Sequence, residues 1–243
     1  MKIIKVDATN STNLFLKEFI KTNHVENFTI ISAEYQFKGK GQGVNIWQSK
    51  KGKNLLFSML VCVDTLNISK QAYLNFAISL GIYNVLKEYY PKLNIKWPND
   101  IMADSKKICG ILIENTVKGK LITQSIVGVG FNVNQLLFPK ELPNAISLAN
   151  LLSKKVDRDA LLLEIQQSII AQINLLNSNL FDKLKVNYEN KLFKNRIISK
   201  FKRVGDSAVF FGSIIGVTKT GLLKIKFEDD TINEYANKEI EYL

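Results

Sequence analysis

Three glycines at alternate positions, Gly39, Gly41 and Gly43, sit in QFKGKGQG (36–43), between the runs FTIISAEY (28–35) and NLLFSMLVCV (54–63). Both runs are rich in β-branched, aromatic and apolar residues and read as strands, so the glycine segment is a strand–loop–strand connection. That placement excludes the P-loop and the dinucleotide fingerprint. Each needs a helix directly after its glycines, and neither GxxxxGK[ST] nor GxGxxG is present. Two residues suffice for a hairpin turn, so three glycines, each costing backbone entropy, point to close approach of the backbone to a ligand. Lys38 and Lys40 make the loop basic.

The rest of the chain alternates in the same way. KIIKV (2–6) reads as a strand, and DATNSTN leads into LFLKEFI, whose apolar spacing suits a helix begun by a Ser/Thr/Asn cap. Apolar residues repeat at helical spacing from Ser69 to Tyr90, with Pro91 ending the pattern. LNIKW, KICGILIEN and KLITQSIVGVGFNV then read as strands around a polar loop, PNDIMADSK. A helix is predicted from near Asp157, with Leu161, Ile165, Ile169, Ile173 and Leu176 on one stripe, and another over 181–193. From about Lys200, short strands separated by glycine turns predict a small antiparallel barrel. The expected fold class is α+β, a mixed sheet flanked by helices, with a body over 1–195 and the barrel over 196–243.

A chain of 243 residues with 46% hydrophobic content is large enough to bury a substantial core. Cys62 and Cys109 each lie in an apolar run with no second cysteine at metal or redox spacing, so both read as core thiols. His24 has no partner at metal-ligand spacing and reads as a surface residue. The N-terminus lacks the apolar core of a signal peptide, and LLFSMLVCV is well short of the roughly 20 residues that cross a bilayer. A cytoplasmic protein without membrane contact is expected. The net charge of +11 comes from lysines scattered along the whole chain, which favours a solvated basic surface over a dedicated nucleic-acid module, although an anionic partner stays open.

Four polar clusters interrupt core-like sequence: STN (11–13), the glycine loop, KWPND (96–100), and Lys106-Lys107 before CGILIEN. Sites are commonly built where polar groups end apolar strands. Singly, STN also reads as a helix cap, WPND as a tight turn, and the lysine pair as a solvated hairpin end. Taken in order, STN, Q-x-x-G-K-G-Q with Trp47 eleven residues after Gln36, KWPND, KxxGIL and GVGFNVN resemble biotin protein ligase over nearly the whole chain.

The resemblance implies a catalytic domain related to class II synthetases with a Src-homology-3-like barrel behind it. It implies an enzyme that joins biotin to ATP as biotinyl-5'-AMP and passes biotin to a lysine of a biotin carboxyl carrier domain. Because the first residues already belong to a strand and helix, the chain resembles the monofunctional form, with no DNA binding expected; it would act as a monomer or homodimer. Lys107 would reach the biotin carboxylate and the adenylate bridge, and Lys40 would sit over the phosphates with Gly41 and Gln42. Asp100, beside Asn99, would position Mg²⁺ on the triphosphate. Ser11, Thr12 and Gln36 would bind the ureido head of biotin, Gly39, Trp47 and Gly110 would wall its pocket, and Asn132 would contact adenine. Two anions must meet in such a reaction, and lysines and glycine amides are the groups that offset their repulsion.

The loop departs from the family pattern. Lys40 stands where arginine is usual, Gly43 and Val44 where a basic residue and glycine are common, and Gln42 and Asn45 are neutral. A looser hold on the adenylate is expected, with Lys40→Arg and Gly43→Arg restoring it. Two rival readings are a lipoate ligase or octanoyl transferase, which shares the fold but carries an arginine-rich triple-glycine segment absent here, and a basic nucleic-acid-binding protein, which leaves the motif series unexplained.

Overall fold

The computed structural model describes residues 2–243 apart from 44, 64 and 207. Strand β1 (Ile3–Thr9) runs into helix α1 (Thr12–Thr22), followed by β2 (Ile30–Gln36), β3 (Leu55–Val61) and the short β4 (Leu66–Asn67). Helix α2 (Gln71–Tyr89) precedes β5 (Leu93–Lys96), β6 (Asp100–Ala103), β7 (Lys106–Lys118) and β8 (Leu121–Phe131). Helices α3 (Leu148–Leu152), α4 (Arg158–Asn177) and α5 (Phe181–Glu189) lead to a second set of strands, β9 (Ile198–Arg203), β10 (Val209–Val217), β11 (Leu223–Lys226), β12 (Ile232–Tyr235) and β13 (Ile240–Tyr242).

The larger sheet has the order β1-β2-β3-β8-β7-β6-β5, with β4 on the far end of β8. Only β1 and β2 pair in parallel, so the sheet is mixed as expected. Strand side chains alternate between faces, and the core divides accordingly. Ile30, Phe57, Met59, Val127 and Cys109 join the main core with α2 and α4, whereas Ile31, Leu60 and Ile126 pack with Leu16 of α1 on the other face. Helix α2 is buried nearly all round because α4 and α5 cover its outer side. Gly81 permits that approach, since a Cβ there would lie 2.8 Å from Ile169 Cα. All five residues of the expected α4 stripe are buried, and Asp157 caps the helix by accepting from the Asp159 and Ala160 amides.

Several expectations need correction. PNDIMADSK is not all loop. Ile101, Met102 and Ala103 are buried in β6, which pairs with β5 and β7, so Asp100 is held on a strand, with one turn at 97–99, as the WPND reading expected, and another at 104–105. Helix α5 stops at Glu189, short of 193. Helix α3, closed by a Ser147–Asn150 capping box, was hidden in ISLANLL. Cys109 is fully buried and its thiol pKa is raised by burial, but Cys62 is only half-buried. His24 is exposed as expected.

Strands β9–β13 form a five-stranded antiparallel sheet, β12-β11-β10-β9-β13, consistent with the expected small barrel, although no pairing joins β12 to β13 among the described residues. Phe201, Ile214, Leu223, Ile225 and Tyr235 belong to the same buried cluster as α2 and α4. Trp97 pins the two sheets together, its indole Nε1 donating to the Gly221 carbonyl at 2.9 Å. Replacing Trp97 by phenylalanine leaves that carbonyl unpaired, at an expected cost of about 1–2 kcal/mol. A urea midpoint unchanged from wild type would contradict this.

Candidate active site

The α1 face of the sheet changes character beyond the end of that helix. Positions 58, 110, 128 and 130 share the face with Leu60 and Ile126 but carry only Ser58, Gly110, Gly128 and Gly130. Small residues on adjacent strands leave a depression, and Trp47 drops into part of it. A Cβ on Gly130 would lie 2.4 Å from Trp47 Cε2, and one on Gly110 would lie 3.1 Å from Cζ3. The resulting cleft encloses about 140 Å³.

The glycine loop forms one wall, folded as a small hairpin. Trp47 N–H donates to the Gly39 carbonyl at 2.9 Å, Gly41 N–H to the Asn45 carbonyl at 2.8 Å, and Lys40 bridges to Ile46. Gly39 is buried under the Trp47 backbone, with no room for a Cβ, so its task is to seat the indole. Val44 lies outside the described residues.

At the deep end, STN is more than a helix cap. The Ser11 side chain makes no capping hydrogen bond. Instead the Thr12 amide and hydroxyl both donate to Gln36 Oε1, at 2.7 and 3.0 Å. Ser58 Oγ lies 2.7 Å from Thr12 Oγ1 and 2.6 Å from Asn13 Oδ1, and Asn13 Nδ2 donates to Glu114 Oε2 at 2.6 Å. Thr12, Asn13 and Ser58 of this chain are buried and Gln36 and Glu114 half-buried, with Gly128 kept bare because a Cβ would lie 2.2 Å from Asn13 Oδ1. Sequence reading gave no role to Asn13 of STN or to the two glycines of GVGFNVN, and missed Ser58 and Glu114. A lone serine inside NLLFSMLVCV and the alternate glycines of IVGVGF were the available signals.

The open end carries the charge. Lys107 Nζ sits 2.8 Å from Asp100 Oδ1, both partly exposed, and 5.7 Å from the Trp47 ring centroid. Lys96, opposite Asp100 in the β5–β6 register, has its pKa lowered by burial, an effect opposed by the Asp100 charge. Asp100 is the one carboxylate in the cleft wall among the described residues, and those residues hold no cluster of three metal-ligating side chains.

Ser11, Thr12, Gln36, Lys40, Gly41, Gln42, Trp47, Asp100, Lys107 and Gly110 therefore meet in one cleft, as expected. Gly39, Asn99 and Asn132 do not line it. Asn132 faces a second cavity of about 390 Å³, which shares Trp47 and Lys107 with the first and is walled by Phe138, Leu142 and Pro143. Among the described residues its buried Oδ1 has no partner, nor has Trp47 Nε1. Asn99 donates to the Ile111 carbonyl and borders a third cavity, reached past Gln42.

Residues 5–132, which carry most of these groups, match the biotin/lipoate A/B protein ligase family. The chain belongs to that family. A biotin protein ligase from Aquifex aeolicus, solved in complex with biotin and ATP, superposes on it with a TM-score of 0.79 at 26% identity, covering 100% of this chain and 99% of the other. The bifunctional ligase/repressor BirA of Bacillus subtilis is 26% identical over 238 residues, covering 96% of this chain and 72% of that protein. The biotin–[acetyl-CoA-carboxylase] ligase of Mycobacterium tuberculosis is 27% identical over 175 residues, or 69% of this chain and 62% of that protein. Within the family, the cleft described here has a polar deep end, an aromatic wall and a cationic mouth.

Proposed function

We propose that this chain is a biotin–protein ligase, activating biotin as biotinyl-5'-AMP and transferring it to a lysine of a biotin carboxyl carrier domain. The meeting of two cavities at Lys107 and Trp47 carries the reading. One is lined at its deep end by neutral donors and acceptors, and the other sets Phe138, Leu142 and Pro143 beside Asn132, Glu141 and Asn144, with the Asn132 amide oxygen unpaired among the described residues. A ureido ring presents N–H donors and a carbonyl acceptor, which the Ser11, Thr12, Asn13, Gln36 and Ser58 array can pair, and Asn132, on the wall of the second cavity, is of a type that pairs with an adenine edge once its side chain turns toward the ligand. A linear lipoyl or octanoyl chain has no N–H donors or ring carbonyl to engage this polar array, and the arginine-rich triple-glycine segment of the lipoate relatives is absent from the sequence, which disfavours the lipoate reading.

In the first step a biotin carboxylate oxygen bonds to the α-phosphorus of ATP, and the bond to the pyrophosphate oxygen breaks. Lys107 and Lys40 offset the charge where carboxylate and phosphates meet, whereas the Gly41 amide is already used within the loop hairpin, donating to the Asn45 carbonyl. In the second step a neutral lysine amine bonds to the acyl carbon, AMP leaves with the electron pair of the broken C–O bond, and the amine proton passes to solvent. No protein nucleophile is needed. Mg²⁺ fits a site with a single carboxylate, since it commonly rides on nucleotide phosphates with one or two carboxylates and water. Asp100 would hold it, with Asn99 near, and it would neutralise charge on the triphosphate. Asp100 would then release Lys107 to the substrate carboxylate.

We assign the catalytic body to residues 1–195 and the smaller sheet to 196–243, which we expect to serve ATP use or carrier transfer more than biotin recognition. No described helix is long and apolar enough to cross a membrane, and the two free thiols suit the cytoplasm. The test is incubation with biotin, ATP and Mg²⁺, alone and with a carrier domain. Pyrophosphate release that requires biotin, followed by labelling of one carrier lysine, is the expected result. Release that requires lipoate or octanoate instead would overturn the reading.

A further inference from the structure

The tip of the glycine loop carries no charge by sequence, Gln42, Gly43 and Asn45 all being neutral beyond Lys38 and Lys40. The smaller sheet brings a cation to it. The turn between β12 and β13 is fixed by Glu239, whose Oε2 accepts from the Ala236 amide at 2.7 Å while its own amide donates to the Ala236 carbonyl at 3.1 Å. Asn237 and Lys238 form the apex, Lys238 at φ 71°, a left-handed conformation that non-glycine residues adopt only when the surroundings hold them there. Asn237 Nδ2 donates to Gln42 Oε1 at 2.9 Å, across 195 residues of sequence. The Lys238 ammonium lies against the loop tip, 2.1 Å from where a Cβ on Gly43 would stand. Lys238 makes no ion pair among the described residues.

We infer that Lys238 is a nucleotide-phosphate contact lent to the glycine loop by the C-terminal sheet, with the Asn237–Gln42 hydrogen bond setting its position. Gln42 lines both the main cleft and the cavity bordered by Asn99, and Asn237 lines that cavity too. Lys238 itself borders a hollow of the smaller sheet with Arg203 and Glu239 and lines neither cavity, but its ammonium meets the loop tip beside Gln42, next to the path a triphosphate would take from Lys40 toward Asn99. Gly43 then has a specific reason to lack a side chain: the space that one would occupy belongs to the Lys238 ammonium. Its φ of 62° is a second reason. The Gly43→Arg change expected from sequence to tighten the loop would instead expel Lys238.

The inference rests on the proposed ATP chemistry, and its test separates the two. Lys238→Ala, Lys238→Arg and Asn237→Ala are compared for MgATP binding by calorimetry and for biotin-dependent pyrophosphate release with ATP and biotin varied separately. Loss of one charge-assisted phosphate contact should raise the ATP Kd and KM by about tenfold or more in Lys238→Ala. The biotin KM and melting temperature should stay near wild type, Lys238→Arg should recover most of the loss, and Asn237→Ala should fall between. An ATP Kd and KM within twofold of wild type in Lys238→Ala would overturn the inference, as would an equal rise in the biotin KM. A wild-type protein that binds MgATP but never turns over biotin would overturn the functional reading, with Lys238 still decided by the calorimetric arm.

Discussion

Lys107→Ala should stay folded and lose at least tenfold in biotin-dependent pyrophosphate release. The side chain stands at the start of β7 with its ammonium partly exposed, so little packing goes with it. What goes is the cation at the junction of both cavities, where a carboxylate and a phosphate must be brought together. A contact of that kind contributes on the order of 2–4 kcal/mol to the transition state. Asp100 loses its 2.8 Å partner as well, which adds like-charge repulsion toward both substrates. Turnover within twofold of wild type, alongside an unchanged melting temperature, would remove Lys107 from the chemistry.

Gly130→Ala should damage the cleft almost as severely by a different route. Its new methyl group would fall 2.4 Å from the indole of Trp47, and the backbone of β8 is locked between β3 and β7 and cannot retreat. The indole must move, and overpacking of this sort costs about 1–3 kcal/mol. The expected result is a biotin Kd raised by about tenfold or more if that strain falls on the bound state, with Lys107 chemistry intact at saturating biotin. The chain contains only two tryptophans, Trp47 and Trp97, and Trp97 is packed between the two sheets, so a changed emission spectrum would report the displaced Trp47. Native emission and wild-type biotin affinity together would show that the floor tolerates the methyl group.

Much of this arrangement was legible because its parts are local. The α4 stripe declares itself by spacing, and Asp157 declares the helix start. STN, the glycine loop, KWPND and KxxGIL could each be seen as polar interruptions of apolar strands. What escaped notice was anything defined across strands. Ser58 reads as a single polar residue in a core run until β8 places Gly128 beside it and α1 places Thr12 and Asn13 above it. Strand β6 was concealed because four residues flanked by Asn99 and Asp104 look like loop until β5 and β7 supply partners. The charge deficit of the loop was visible, but Lys238, its nearest remedy, lies about 195 residues downstream, a distance at which no local pattern operates.

The interior shared by the two sheets also governs how the molecule comes apart. Phe201, Ile214 and Leu223 pack into the same buried cluster as Phe76, Ile165 and Tyr188, so the smaller sheet shares its core with the body. Heating should give one calorimetric transition whose van't Hoff and calorimetric enthalpies agree, in place of two steps. Evolution of the carboxyl-terminal strands is accordingly not free to proceed as though they were a detachable module: a change made there for the benefit of one substrate is felt in the melting of the whole chain.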